Sequence, residues 1–475
     1  MKIGFKLFVL VWVGSCFGQN KQLLYDLREL PTSLLLNPGV DVSNYRLHIG
    51  VPLLSHIHFG VGISGASAYD LFADDGVDFN SKLRNVLDGI SRNDIYTFNQ
   101  QLELFYIGFR PEAFLDNRYF SFGMYQEIDM HAYHPKDPIA LFLEGNGGDN
   151  LFRSFNLNDI NFSAELLTVL HFGFNKQKND KLTYGFRAKL YSSVLDARST
   201  NNRGEFFSES GQQNFYRHVL NSDISLNTSG FLSLSDVDSE DIGKEFRKRA
   251  LFGGNLGLGV DIGFSYAFTD QISITGSLLD IGFIRHKKDT RNYEVKDFEA
   301  SEGVEIFFPG LDGEEENDDY VQELIDDLEE RFTPDTTSTA YTSYRPIKLN
   351  ASLRYDFGEK KSKEDCNCLP GEQAYRNTIG IQLYGINRSR LPQLALTTFY
   401  YKRLGKFLRL KGTYTIDKFT ATNIGLGMSM HFGNFNFYLM GDNLLSYVDL
   451  AKAKAASLQF GFNYVLPRKE NPFMD

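Results

Sequence analysis

The sequence predicts an all-β fold: a transmembrane antiparallel β-barrel of about 14 strands with a short N-terminal plug segment. Three observations carry this. Apolar residues recur at every second position over segments longer than the roughly 5–6 residues of a soluble strand. The composition is rich in aromatics and glycine and poor in proline (Phe 42, Tyr 25, Gly 42, Pro 13 in 475 residues), with a mean hydropathy of −0.29. That balance suits a barrel, which spreads its apolar residues over alternate positions. It does not suit a helical membrane protein or a disordered chain. Beyond the N-terminus, no stretch approaches the roughly 18 apolar residues of a spanning helix, and few helices are available to cover a soluble sheet. The net charge of −11 argues against non-specific nucleic-acid binding, which needs a basic face.

The first element is a secretory signal over residues 1–18. Lys2 and Lys6 precede an apolar run from Leu7 to Val13 and the small residues Gly14, Ser15 and Gly18. Val13-Gly14-Ser15-Cys16 also reads as a weak lipobox with Cys16 as the lipidated residue. Residues 19–43 follow as a periplasmic or plug segment. Its apolar run Leu34-Leu35-Leu36 ends in the turn signal Asn37-Pro38-Gly39.

The barrel is predicted over 44–466, with strands at 44–65, 94–109, 118–133, 158–175, 182–198, 252–268, 271–287, 346–357, 375–388, 393–404, 406–417, 420–432, 434–443 and 455–466. Residues 118–133 show the pattern most openly. Phe120, Phe122, Met124, Ile128 and Met130 share one parity, and Tyr119, Ser121, Glu127, Asp129 and His131 share the other. An even count puts both termini in the periplasm, with a free tail at 467–475. The short connections then lie on the periplasmic side, and the long ones (66–93, 134–157, 199–251, 288–345) lie outside. Residues 218–230 are also strand-like. The loop pattern places them as an excursion within the third long outer loop. Pro52 breaks the first strand, leaving either one kinked strand or a hairpin that would raise the count toward 16. The outer loops are predicted to carry an amphipathic piece (Phe79, Leu83, Val86, Leu87, Ile90) and an acidic helix at 318–332.

Inward positions carry both signs: Glu127, Asp129, Glu165, Arg187, Lys189, Asp261, Lys348, Arg354, Asp356, Arg409 and Lys411. The short turn after 158–175 is expected to bring Glu165 near Lys189. Such charges form either a selectivity ring or a salt-bridged, filled lumen. His131 with Asp129, and His171 with Glu165, offer acid–base pairs. The strand register holds the two histidines apart, and no serine-centred motif accompanies them, so the chain is not expected to be an enzyme. Cys366 and Cys368 form either a redox or metal pair or incidental thiols in a turn. Two thiols do not close a zinc site, and neither cofactor nor metal is expected.

The segment Leu30 to Gly39 (LPTSLLLNPG) resembles the hatch region of the FadL-like barrels, with Asn-Pro-Gly in place of their Asn-Pro-Ala. Gly259 to Phe268, Leu278 to Ile284, Gly380 to Leu404 and Asn423 to Leu445 resemble an uncharacterised outer-membrane family of Bacteroidota. That family is related in shape to the FadL-like and type IX secretion barrels. The resemblance implies a 14-stranded barrel in the outer membrane, with lipid as its surroundings, and no particular activity. Two functions stay open. One is passive uptake of a small hydrophobic molecule over a floor at Asn37, Pro38 and Gly39. The other is a structural role in an outer-membrane secretion or assembly complex, with protein partners.

Overall fold

The computed structural model describes residues 21–111, 117–212, 216–231, 241–302, 335–358, 375–405 and 407–468. The signal segment with Cys16, the acidic helix expected at 318–332, Cys366 and Cys368, and most of the expected tail lie outside the described residues.

Among the described residues, twenty strands form one sheet. They are β1 (Tyr45–Gly50), β2 (Ile57–Ile63), β3 (Ile95–Phe109), β4 (Arg118–Tyr133), β5 (Phe155–Asn156), β6 (Phe162–Gln177), β7 (Leu182–Ser210), β8 (Tyr216–Ser229), β9 (Asn255–Ala267) and β10 (Ile272–His286). Then come β11 (Thr290–Glu302), β12 (Asp335–Thr337), β13 (Tyr341–Tyr344), β14 (Lys348–Phe357), β15 (Asn377–Ile386), β16 (Gln393–Leu404), β17 (Leu408–Ile416), β18 (Asn423–Phe432), β19 (Phe435–Asp442) and β20 (Ala455–Pro467). β20 pairs with β1 and β2, so the sheet closes on itself and leaves no edge for lipid to meet. β1 and β2 are one strand interrupted at Pro52, because both pair with β3 and β20. β13 and β14 are likewise one strand, interrupted before Pro346, because both pair with β10. The barrel therefore has 14 staves, all antiparallel.

The upper part of β7 runs beyond the predicted end at 198. With β8, β11 and β12 it builds a wing above the long-loop end of the barrel. Residues 216–229 therefore add no stave. The amphipathic piece of the first outer loop is a helix, Phe79–Gly89, which buries Leu87 and leaves Phe79 exposed. A helix at Lys136–Glu144 was not anticipated.

The sides of the wall are inverted relative to a soluble sheet. Leu258, Leu353 and Leu394 are 59%, 52% and 60% exposed, whereas Asp261, Gln382, Thr397 and Gln459 are all 0% exposed. β16 alternates buried and exposed at every residue. Apolar side chains outside and polar ones inside suit a wall solvated by hydrocarbon. No described helix is long and apolar enough to cross a membrane.

Residues 21–44 fill the lumen, and Leu23, Leu24 and Tyr25 are fully buried. Leu23, Leu24, Tyr25, Leu27, Leu30 and Leu36 pack on Phe399, Tyr401, Tyr438 and Met440 of the wall. A short 3-10 turn, Pro31–Leu35, carries the chain across. The wall holds the segment by its backbone. The Lys411 ammonium donates to the carbonyls of Gln22 (3.0 Å) and Tyr25 (2.7 Å), Gln382 donates to Tyr25 O (3.1 Å), and Ser277 donates to Leu36 O (2.6 Å).

Candidate functional site in the lumen

Asn37, Pro38 and Gly39 sit in a notch of the wall made by glycines. The Asn37 amide donates to Phe264 O (3.1 Å), and its own oxygen accepts from Gly39 N (2.8 Å), closing an Asx-type turn. Asn175 donates to the carbonyls of Pro38 (2.7 Å) and Val40 (2.8 Å), and Ser265 donates to Gly39 O (2.8 Å). A Cβ at Gly185 would lie 2.1 Å from Pro38 O, and one at Gly263 would lie 2.1 Å from the Asn37 side-chain oxygen. Only glycine lets the turn approach the wall this closely.

Above this turn the inward charges form one alternating chain. Arg187 meets Asp261 (2.7 Å), which meets Lys189 (2.9 Å), and Lys189 meets Asp280 (2.5 Å). Asp280 meets Lys348 (2.8 Å), and Lys348 meets Glu127 (2.9 Å). Glu127 meets Arg345 (3.2 Å), Arg345 meets Glu165, and Glu165 meets Arg198 (3.6 Å), which holds Asp196 (2.5 Å). Arg187 also donates to Leu35 O (2.7 Å), tying the chain to the N-terminal segment. Cations and anions alternate along the whole chain. Low dielectric makes such a fully paired ladder rigid and makes the loss of any one member costly.

The structure brings Glu127, Glu165, Arg187, Lys189 and Asp261 into this chain and sets Asp129 beside it. Arg354 and Arg409 lie elsewhere. Arg354 holds Asp26 (3.6 Å) and Asp356 (2.8 Å), and Arg409 reaches His431 (2.7 Å). The expected proximity of Glu165 and Lys189 does not hold. The β6–β7 register sets His171 opposite Lys189 and Asp196 opposite Glu165, several residues up the strand. Asp280, Arg345, Arg198 and Asp196 are further members that alternation did not reveal, and Arg388 and Lys21 are further charges set beside the chain. Asp280 sits at a bulge with φ 60°, where the inward parity slips. Arg345 precedes the Pro346 break, and Arg388 lies in a hairpin turn. A lone Asp within the apolar run Leu278 to Ile281 was the one available signal.

That hairpin turn, residues 387–392 between β15 and β16, folds across the long-loop mouth. Arg388 pairs with Asp129 through two bonds of 2.6 and 2.9 Å. Ser389 donates to the Asn161 side chain (2.6 Å), and Arg390 donates to Asn158 O (2.9 Å) while lying over the Tyr133 ring (4.9 Å to the centroid).

Between this roof and the N-terminal segment lies a cavity of about 80 Å³. Its walls carry Lys21, Lys189, Lys348 and Arg388 against Glu127, Asp129 and Asp280, with Leu35, Leu36, Leu279 and Ile386 forming an apolar side. Lys189, Lys348 and Arg388 each hold a carboxylate. Lys21 is bonded instead to the neutral side chain of Gln101. Burial pushes the Lys21 ammonium down to about 7, with Glu127 pulling the other way.

Histidine pairs occur elsewhere without a hydrolase geometry. His286 bonds Ser229 (2.8 Å) and Ser343 (2.9 Å) through its two nitrogens and is fully buried, so no substrate carbonyl reaches either hydroxyl. His218 meets Ser208 (2.8 Å) and Asn146 (3.0 Å) through the same nitrogen, which leaves no relay. His131 and His171 lie on different levels, as their register requires. No group of three or more His, Cys, Asp or Glu suited to a metal ion occurs among the described residues.

The model of a family of unknown function (DUF5723) matches residues 38–442. No curated protein matches the chain. Among solved structures, the chain is similar to the Ralstonia pickettii toluene transporter TbuX, at 10% identity over 96% of each chain and a TM-score of 0.42. It is also similar to a Pseudomonas aeruginosa FadL homologue, at 9% identity over 91% of this chain and 94% of that one, with a TM-score of 0.40.

Proposed function

We propose that this chain, which belongs to the DUF5723 family of unknown function, is an outer-membrane barrel for uptake of a small molecule with a carboxylate head and a short apolar body. In this reading residues 21–44 are the plug, Asn37, Pro38 and Gly39 are its fixed point on the wall, and the turn at 387–392 is the roof over the entrance. The short-turn end, where both ends of the barrel emerge, faces the periplasm, and outer-membrane lipid covers the wall.

One observation carries the reading. Every charge around the cavity is paired with an opposite charge except Lys21, which has only an amide for a partner among the described residues. A guest carboxylate would neutralise it in a low-dielectric site, where charge-assisted hydrogen bonds are strongest. The apolar side formed by Leu35, Leu36, Leu279 and Ile386 would take the body of the guest. A pure hydrocarbon would strip water from the polar walls and return nothing to them. The small hydrophobic molecule of the uptake reading is thus narrowed to one with an anionic head.

Titration calorimetry in detergent tests this. Hexanoate is expected to bind and hexylamine is not. Lys21→Met is expected to weaken hexanoate by roughly tenfold or more, the loss of one charge-assisted bond. Equal binding of the two probes, or an unchanged affinity in Lys21→Met, would overturn the reading. A second reading, a subunit of an outer-membrane secretion or assembly complex, draws on the wing of β7, β8 and β11 standing beyond the barrel. Co-purification of a stoichiometric partner that is lost when 200–228 is shortened would favour it.

A further inference from the structure

The chain between β19 and β20 turns outward where the strand ends. Asn443, the first residue after β19, takes a left-handed conformation (φ 53°, ψ 50°), which asparagine tolerates better than most residues. Its N–H donates to the Asn423 side chain (2.7 Å), and its amide donates to Ala455 O, so both neighbouring staves hold the reversal. A 3-10 turn, Leu444–Tyr447, follows, and the Tyr447 hydroxyl donates to Ser457 O (3.1 Å). Met440 packs inward on the N-terminal segment, so alternation points Gly441 outward. A Cβ on Gly441 would lie 3.4 Å from the Leu444 side chain and 3.9 Å from the Tyr447 hydroxyl. The turn therefore lies against the outer face of the wall, on the side that faces lipid.

The neighbouring strands are covered at the same height. Val61 and Ala456 pair across β2 and β20 and share the outward parity of Phe59 and Leu458, which are exposed. Yet Val61 and Ala456 are only 9% and 1% exposed, and Ala456 adjoins the carbonyl that holds Tyr447. The covering segment is itself apolar on its far side. Leu445, Tyr447 and Val448 are 58%, 40% and 88% exposed. Lys452 pairs with Asp449 (3.2 Å) and lies over the Tyr69 ring (4.1 Å to the centroid). That contact brings in the helix Ala68–Phe72, whose Phe72 is 69% exposed. Two features name what meets this surface. It continues upward from Leu439, Leu458 and Phe59, exposed side chains of the wall that faces hydrocarbon. And β19, with 8 residues, is the shortest stave among the described residues, below the roughly 9–11 that cross a bilayer. From Phe435 to Gly441 its outer face climbs about 20 Å along the strand, or about 15 Å along the axis at a tilt of roughly 40°, against an apolar band of about 25 Å. The turn supplies apolar surface where the strand stops.

We propose that residues 443–449 form a flap embedded in the membrane leaflet at the long-loop end, with Leu445, Tyr447 and Val448 among the lipid acyl chains. Lys452 and Tyr69 then sit at the headgroups, where amphipathic side chains keep their polar ends in water. The flap completes the lipid-facing wall above β19. It is independent of the uptake reading and of any protein partner of the wing.

The test is tryptophan fluorescence of the full chain in phosphatidylcholine vesicles, plain or brominated on the acyl chains. The sequence has one tryptophan, Trp12, so every variant carries Trp12→Phe and the introduced ring is the only reporter. Val448→Trp and Leu445→Trp report on the flap, Leu439→Trp on the wall below it, and Leu391→Trp on the exposed tip of the roof. Each variant is first checked for heat-modifiable migration of the barrel. The two flap variants are expected to lose at least about half of their emission in brominated vesicles, as Leu439→Trp does, because bromine quenches only rings that reach the acyl region. Leu391→Trp is expected to be unchanged. Flap variants that behave like Leu391→Trp while Leu439→Trp is quenched would overturn the proposal, since the flap would then stand in water or against another protein.

Discussion

At the scale of single residues, the glycines of the notch set how closely the N-terminal segment approaches the wall. Gly263 and Gly39 face each other so closely that a Cβ on Gly39 would lie 2.3 Å from Gly263 O. Gly263→Val inserts a branched side chain against Asn37 while leaving the β9 ladder able to form. Overpacking of this kind costs about 1–3 kcal/mol, which shifts the undocked fraction of the segment by roughly one to two orders of magnitude. The expected outcome is a barrel that still migrates as a heat-modifiable species but whose Arg28 bond is cut by trypsin at least about tenfold faster. Unchanged cleavage would show that the notch does not fix the segment.

At the scale of elements, the staves were legible because lipid and lumen impose a strict period of two on each strand. The wing strand 216–229 was separable by loop length alone. Registers and bulges were not legible. Glu165 and Lys189 share a hairpin, yet pairing depends on counting through the turn and through the bulge at Leu166 and Leu167. Asp280 and Glu103 both sit next to irregularities in pairing, so alternation assigned neither to the lumen. The N-terminal segment has no periodicity of its own. Its leucines and its Asn-Pro-Gly turn were visible, but the carbonyls that Lys411, Gln382 and Ser277 hold carry no sequence signal. Lys21 gives this element a pH dependence. Its ammonium is at about 7 when docked and near 10.5 when free. The undocked segment therefore binds more protons between those values, and docking strengthens as pH rises from about 7 toward 10.5 and is flat below 7. Trypsin cleavage at Arg28, normalised to the free peptide, is expected to slow from pH 7 to pH 9, and the slowing is expected to vanish in Lys21→Met. A slope that persists in that variant would assign the effect to another group.

At the scale of the whole molecule, closure and filling are separate achievements. The ladder from β20 to β1 and β2 closes the barrel through strand pairing alone, with every stave bonded on both sides. The filling comes from a segment that precedes the first strand and contributes no stave. A ring of 14 staves falls between eight-stranded barrels, whose side chains fill the interior, and porins of roughly 16–18 strands, which hold an aqueous channel. Its own side chains therefore do not fill it, and residues 21–44 supply the difference. Deleting 21–36 removes the apolar cluster on Phe399, Tyr401, Tyr438 and Met440 and uncovers Lys411 and Arg354. The barrel is expected to persist, with heat-modifiable migration intact and a lowered Tm, because no pairing of the staves runs through the deleted residues. Conductance in planar bilayers is expected to change from small or undetectable events to large, long-lived openings. If the deleted form conducts no more than the full chain, the ten charges of the ladder and the roof at 387–392 close the lumen by themselves, and the N-terminal segment is packing rather than plug.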